Sequence, residues 1–129
     1  MTEKLSNPRK TIEVIQKYEF AFQKKFGQNF LIDGRVLDKI IASADITKED
    51  FVLEIGPGIG TMTQYLAEAA GRVLAVEIDK MLIPILEETL QEYDNVEVIN
   101  ADVLKLDLNR ILEEKNGGRP VRIVSNLPY

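Results

Sequence analysis

The chain contains no cysteine, no histidine and no tryptophan in 129 residues. Each absence removes a class of chemistry. Without histidine there is no Ser-His-Asp triad, no Cys-His pair and no imidazole general base. Without cysteine or histidine there is no zinc finger and no conventional zinc hydrolase site, so no metal is expected. Disulfides are impossible, which suits a reducing compartment. Catalysis by such a chain must use backbone groups, carboxylates, amides, Lys, Tyr or a bound cofactor. The N-terminus has no apolar core of a secretory signal, and no apolar run is long enough to span a membrane. A soluble, cytoplasmic protein without membrane partners is therefore expected.

What is present is an uneven charge distribution. The net charge is −5. Residues 1–39 hold eight basic and five acidic residues, whereas residues 40–129 hold eight and sixteen. A basic leader on an acidic body reads either as a solvated terminal segment or as an edge that faces an anion or a nucleic acid.

Periodicity divides the chain. Asn7 followed by Pro8 predicts a helix start, because Asn caps well and Pro suits the first helical position. A second helix is predicted from Asp33, with Val36, Leu37, Ile40, Ile41 and Ala44 on one apolar face. From residue 51 strands and helices alternate. Strands are predicted at 51–55, 73–77, 96–99 and 121–125. Helices are predicted at 61–70, after Asp79 and at 106–115. Gly71 and Gly117-Gly118 are read as helix stops, and Pro84 predicts an irregular first turn. This alternation specifies an α/β fold with a parallel sheet and helices on both faces. The first and fourth strands should be neighbours, with a ligand held where the strand order reverses.

The loop Gly56-Pro57-Gly58-Ile59-Gly60, preceded by Glu54, lies between the first strand and its helix. Glycines there permit left-handed φ angles and close approach of a ligand to the backbone. The spacing G-x-G-x-G is not the dinucleotide G-x-G-x-x-G, and no G-K-S/T makes it a phosphate loop. Glu77 ends the second strand, where an acid can accept hydrogen bonds from both hydroxyls of a ribose. Asp79 is the candidate helix cap, which leaves Glu77 for a ligand. Asp102 follows the third strand and can accept from an exocyclic adenine amine; alone it reads equally as a cap. Together these residues describe a site for an adenosine-bearing ligand.

Asn126-Leu127-Pro128-Tyr129 follows the fourth strand, beside the glycine loop in the predicted sheet. An adenine amine is a poor nucleophile because its lone pair is delocalised into the ring. The Asn126 side-chain oxygen and a backbone carbonyl at Leu127 or Pro128 could accept its two N–H groups and localise that lone pair. Pro128 stiffens the turn. Tyr129 offers a ring for base stacking, worth about 1–3 kcal/mol. Attack on a sulfonium methyl group needs no prior deprotonation, so a chain without histidine suits it, and rate would come from alignment and preorganised electrostatics.

These segments, with Lys25-Phe26-Gly27-Gln28-Asn29-Phe30-Leu31-Ile32-Asp33, Val76-Glu77-Ile78-Asp79 and Asn100-Ala101-Asp102, resemble the ribosomal RNA adenine N6-dimethyltransferases. The likeness runs from about residue 8 to the end and is greatest to the bacterial small-subunit enzymes. It implies an S-adenosylmethionine-dependent, Rossmann-like methyltransferase fold, incomplete here, comprising its first four parallel strands with flanking helices. Residues 1–50 would be the basic leader and cofactor-closing segment, and residues 51–129 the N-terminal half of the methyltransferase domain. The resemblance assigns cofactor contacts to Asn29, Leu31, Gly56, Gly58, Glu77, Asp102 and Asn126, and catalytic roles to Asn126, Leu127, Pro128 and Tyr129. It implies ribosomal RNA of the small subunit or its precursor as partner, and a monomer when the protein is full length. Gly27 and Leu127 favour the small-subunit enzymes over the large-subunit relatives of the macrolide-resistance type, which typically carry Ser and Ile there. The family continues well past the Asn-Leu-Pro-Tyr motif, so the chain is expected to be an N-terminal portion, inactive alone, with its fourth strand as an exposed apolar edge. The alternatives are the large-subunit homologue and a non-catalytic module that binds cofactor or RNA.

Overall fold

The computed structural model describes residues 4–17, 34–117 and 119–125. Four strands, β1 (Phe51–Ile55), β2 (Arg72–Glu77), β3 (Val96–Asn100) and β4 (Arg122–Ser125), form one parallel sheet in the order β3-β2-β1-β4. The reversal of strand order therefore falls between β1 and β4, as the alternating pattern predicts. β4 is the edge of this sheet, and its Ile123 is exposed.

Helices cover both faces. Helix α1 spans Pro8–Lys17, α2 Gly34–Ala44, α3 Thr61–Ala69, α4 Ile83–Thr89 and α5 Leu108–Asn116. On one face Val52 and Val73 pack with Leu37 of α2 and with Met62, Leu66 and Ala67 of α3. On the other, Phe51, Leu53, Leu74 and Val76 pack against Leu108, Ile111 and Leu112 of α5. The alternation of side chains along a strand sends odd and even residues of β1 to opposite cores.

Local chemistry sets the helix ends. The Asn7 side-chain oxygen accepts from the Arg9 N–H at 3.0 Å, so the expected cap with Pro8 at the first helical position is in place. Asp79 accepts from the Met81 N–H at 2.9 Å, and a 3₁₀ turn over Lys80–Leu82 precedes α4, with Pro84 in its first turn. Gly117 closes α5 at φ 62°. The expected Asp33 cap lies outside the described residues.

Two expectations change. On α2 only Leu37 is buried; Val36 and Ile40, on the same predicted apolar face, are exposed. Gly71 is not a left-handed helix stop, since α3 ends at Ala70 in extended backbone at φ −93°. Glycine is needed at 71 for space: a Cβ there would lie 2.2 Å from the Lys48 carbonyl oxygen. The α3–β2 turn is pressed against the segment that enters β1, where the Gly71 N–H donates to the Asp50 carbonyl at 3.0 Å.

Candidate functional site

The glycine loop leaves the C-terminal end of β1, where the sheet reverses. The Gly56 N–H continues the ladder to the Val76 carbonyl at 3.0 Å, and the Gly60 N–H closes a turn on the Pro57 carbonyl at 3.0 Å. Gly56, Gly58 and Gly60 all lie at positive φ, 72°, 64° and 98°. An L side chain resists that region by about 1–2 kcal/mol per residue, so the glycines are there to make this backbone path. The loop delivers the chain into the first turn of α3, whose unpaired N–H groups and dipole favour electron-rich ligand atoms.

The loop is tied from behind by polar groups. The Thr89 hydroxyl donates to the Ile59 carbonyl at 2.8 Å. The Gln64 amide donates to the Thr89 carbonyl at 2.9 Å and accepts from the Leu5 N–H at 3.0 Å. Leu5 and Val14 of the leader then pack with Ile59, Leu82 and Ile85. The basic leader is thus anchored on the back of the glycine loop rather than solvated along its whole length. Thr89 and Gln64 carry no signal in the helical pattern other than being polar; only the tertiary packing makes them loop supports.

Glu77 is brought to the loop, but not as a free acceptor. It is 5% exposed. One carboxylate oxygen accepts from the Gly58 N–H at 3.1 Å and the other from the Asp79 N–H at 2.9 Å. Burial pushes its carboxyl above the usual range, and those N–H donors oppose the shift. The acid therefore clamps the middle glycine of the loop. Each carboxylate oxygen has a second lone pair, which leaves capacity for a ligand hydroxyl.

Asp102 lies one strand further. The Ala101 N–H donates to the Glu77 carbonyl at 3.0 Å, and the Asn100 amide donates to the same carbonyl at 2.9 Å. This pins the β3 end beside the β2 end. Asp102 itself caps a 3₁₀ turn over Val103–Lys105, accepting from the Leu104 N–H at 3.0 Å through one oxygen. Both readings of Asp102 remain compatible, since its second oxygen makes no hydrogen bond to the described residues. Between Glu77 and Asp79, Ile78 is 67% exposed. An exposed branched apolar side chain beside a ribose-type acid offers a flat base a surface to cover. Its signal in the sequence is an apolar residue in an otherwise acidic turn.

Glu54 is the residue that strand periodicity hides. It is wholly buried on the α3 side of β1, where the Thr63 hydroxyl donates to one of its oxygens. Burial raises its carboxyl to about 7, against the Thr63 hydrogen bond and with help from the nearby Glu77. Asn29, Leu31, Asn126, Leu127, Pro128 and Tyr129 lie outside the described residues. β4 nevertheless runs beside β1 in register, with Ser125 opposite Ile55. The C-terminal end of β4 therefore lies beside the strand end that opens into the glycine loop.

The glycine loop, the carboxylates of Glu77 and Asp102 and the exposed Ile78 thus gather glycine backbone, carboxylate acceptors and one apolar surface along the C-terminal ends of β1, β2 and β3. No helix among the described residues is long and apolar enough to cross a membrane.

Comparison with known proteins gives this arrangement a context. A family model described as ribosomal RNA adenine dimethylase matches residues 19–129. The chain is 68% identical over 126 residues to a ribosomal RNA small subunit methyltransferase A of Lachnoclostridium phytofermentans, covering 97% of the chain and 43% of that protein. It is 59% identical to the protein of the same name from Alkaliphilus oremlandii, covering 98% of the chain and 44% of the relative. Among solved structures, the 23S rRNA methyltransferase ErmE matches with a TM-score of 0.64 at 34% identity, over 76% of this chain and 37% of that one. A dimethyladenosine transferase from Plasmodium falciparum matches with a TM-score of 0.57 at 33% identity, over 73% and 32% of the two chains. The chain thus spans less than half the length of each of these four relatives, and its fold is that of Rossmann-like S-adenosylmethionine-dependent methyltransferases.

Proposed function

The chain belongs to the ribosomal RNA adenine dimethylase family, and on that premise we propose that it is the cofactor-binding portion of a small-subunit ribosomal RNA adenine N6,N6-dimethyltransferase. The observation that carries this reading is the left-handed glycine loop at the point where strand order reverses, held by Glu77 of the neighbouring strand, with Asp102 following the strand beyond it. Bound S-adenosylmethionine supplies an activated methyl group; the rest is the work of this chain's residues.

Gly56 and Gly58 let the methionine part of the cofactor approach the backbone. Glu77 accepts from the ribose hydroxyls through its remaining lone pairs, and Asp102 accepts from the adenine amine. Ile78 covers one face of that adenine. Asn29 and Leu31 close over the cofactor. Asn126 accepts from the target amine together with a carbonyl of Leu127 or Pro128, and Tyr129 stacks on the target base. The lone pair is thereby aimed at the methyl group, and the proton leaves after transfer without a protein general base. The whole protein acts in the cytoplasm as a monomer during ribosome biogenesis.

The higher identity to proteins named for the small subunit favours that target over the large subunit. The test is transfer of label from S-adenosylmethionine by the protein containing this chain to immature small subunits, followed by nucleoside analysis. N6,N6-dimethyladenosine in small-subunit RNA is the expected product. Label confined to large-subunit RNA would overturn the target, and label on no RNA would leave only a binding module.

A further inference from the structure

Among the described residues, two buried side-chain oxygens have no hydrogen-bond partner, Glu54 Oε2 and Thr61 Oγ1. Both flank the glycine loop, one at the penultimate residue of β1 and one at the start of α3. Glu54 is 0% exposed. Its surroundings are poor in compensation. α3 contributes the Thr63 hydroxyl as the single donor. β2 contributes Ala75 as the strand neighbour and, two residues on, the carboxylate of Glu77, which is of like charge. β4 contributes Val124. Among the described residues no Lys or Arg forms an ion pair with it. An ionised carboxylate in that setting lacks water, lacks a counter-ion and is repelled by its neighbour.

We propose that Glu54 is a proton-exchanging positioning residue of the glycine-loop site, which holds its proton more tightly while the loop is empty and gives it up when a cationic nucleoside occupies it. The inference rests on reading the loop as an S-adenosylmethionine site. The step is an acid dissociation: the O–H bond of the Glu54 carboxyl breaks, the proton passes to solvent, and nothing is oxidised or reduced. The chemistry supplies the difference between the two states. The methyl donor carries a sulfonium in addition to its ammonium and carboxylate, whereas the demethylated product is a neutral thioether without that charge. An ionised Glu54 beneath the loop attracts the donor more than the product. The site thereby favours exchange of spent product for fresh donor. Thr63 sets the ease of the step, because its hydroxyl donates to the ionised form.

The experiment has two arms on the protein containing this chain. The first is an infrared titration of the ligand-free protein. A protonated-carboxyl band that disappears near pH 7 and is absent from Glu54→Gln is expected, because burial places this carboxyl at about 7. In Thr63→Val the band should persist to higher pH. The second is calorimetry at pH 7 in buffers of different ionisation enthalpy, with S-adenosylmethionine and S-adenosylhomocysteine as probes. The donor should release about half a proton more from wild type than from Glu54→Gln, and the product much less. The donor-to-product affinity ratio of wild type, relative to Glu54→Gln, should rise about tenfold between pH 6 and pH 8. Absence of the band in the free protein overturns the proposal whatever the ligands do. Equal proton release with donor and product, or release unchanged in Glu54→Gln, also overturns it. Failure of both probes to bind overturns the site reading, and with it the exchange; the band alone would then show only a buried acid.

Discussion

Replacing Glu77 by Ala separates two roles that the fold has merged. In the free protein its carboxylate accepts from the Gly58 N–H at 3.1 Å and the Asp79 N–H at 2.9 Å. A hydrogen bond to a charged group contributes about 1.5–3 kcal/mol when removed, and the stranded donors add a desolvation cost. Against this, the buried carboxylate is itself disfavoured, since burial pushes its carboxyl upward. The net expectation is a loss of about 2–4 kcal/mol in stability for Glu77→Ala. Glu77→Gln keeps one acceptor oxygen and turns an NH₂ toward the other N–H, so it should lose about half as much. Urea unfolding at neutral pH measures this part, because the slope should stay constant while the midpoint falls. Calorimetry with S-adenosylmethionine, under conditions where each variant is folded, measures the second part. Loss of the acceptor for the ribose hydroxyls should weaken binding by about tenfold to a hundredfold, by the same hydrogen-bond range. An unchanged urea midpoint in Glu77→Ala would refute the clamp on the loop. Unchanged affinity in a folded variant would remove Glu77 from the ligand site and leave it a purely structural brace.

Other expectations concern stability, caps and catalysis. The Glu54 carboxyl moves from 4.5 in the unfolded chain to about 7 when buried. The folded state therefore holds this proton to higher pH, and wild type should lose about 3 kcal/mol as pH rises from below 4.5 to above 7. Glu54→Gln should flatten that part of the curve; parallel curves for the two proteins would contradict the burial argument. Gly71→Ala should destabilise by about 2–3 kcal/mol in denaturant titration, because its Cβ meets a backbone carbonyl that cannot swing away. Gly117→Ala, at positive φ with open space around it, should cost only about 1–2 kcal/mol, and Gly117→Asn less. A loss at 71 no larger than at 117 would contradict the crowding argument, since Gly71 is not at positive φ. Asp102→Ala should cost about 1 kcal/mol of stability through the lost cap. It should also weaken cofactor binding, read in the same calorimetric series. In the protein containing this chain, Asn126→Ala should abolish methyl transfer to RNA while retaining measurable cofactor binding; full turnover would exclude the amide from the reaction.

The linear order of residues was enough for the α/β alternation, for the strand neighbours β1 and β4, and for the caps at Asn7, Asp79 and Gly117. These depend on the period of apolar residues and on contacts two to four positions apart, which local spacing encodes. The glycine loop was legible for the same reason: its backbone path needs φ values that only glycine adopts freely, so the residue type carries the geometry.

What local spacing could not carry was the use made of side chains by distant partners. Glu77 reads as a free acceptor until the loop 19 residues earlier is folded against it. Gly71 reads as a helix stop until the Lys48 carbonyl oxygen is brought to 2.2 Å from where its Cβ would be. Gln64 and Thr89 read as ordinary helical polar residues until they join the leader to the back of the loop. Glu54 reads as one acid in an apolar strand until α3 and β2 seal it from water. The sequence by itself determined which elements form and where a ligand loop must lie, because those are short-range requirements of the backbone. Only the tertiary structure decided which carboxylates are buried, which are braced and which keep capacity for a ligand, because burial and repulsion depend on neighbours that the chain brings together from far apart.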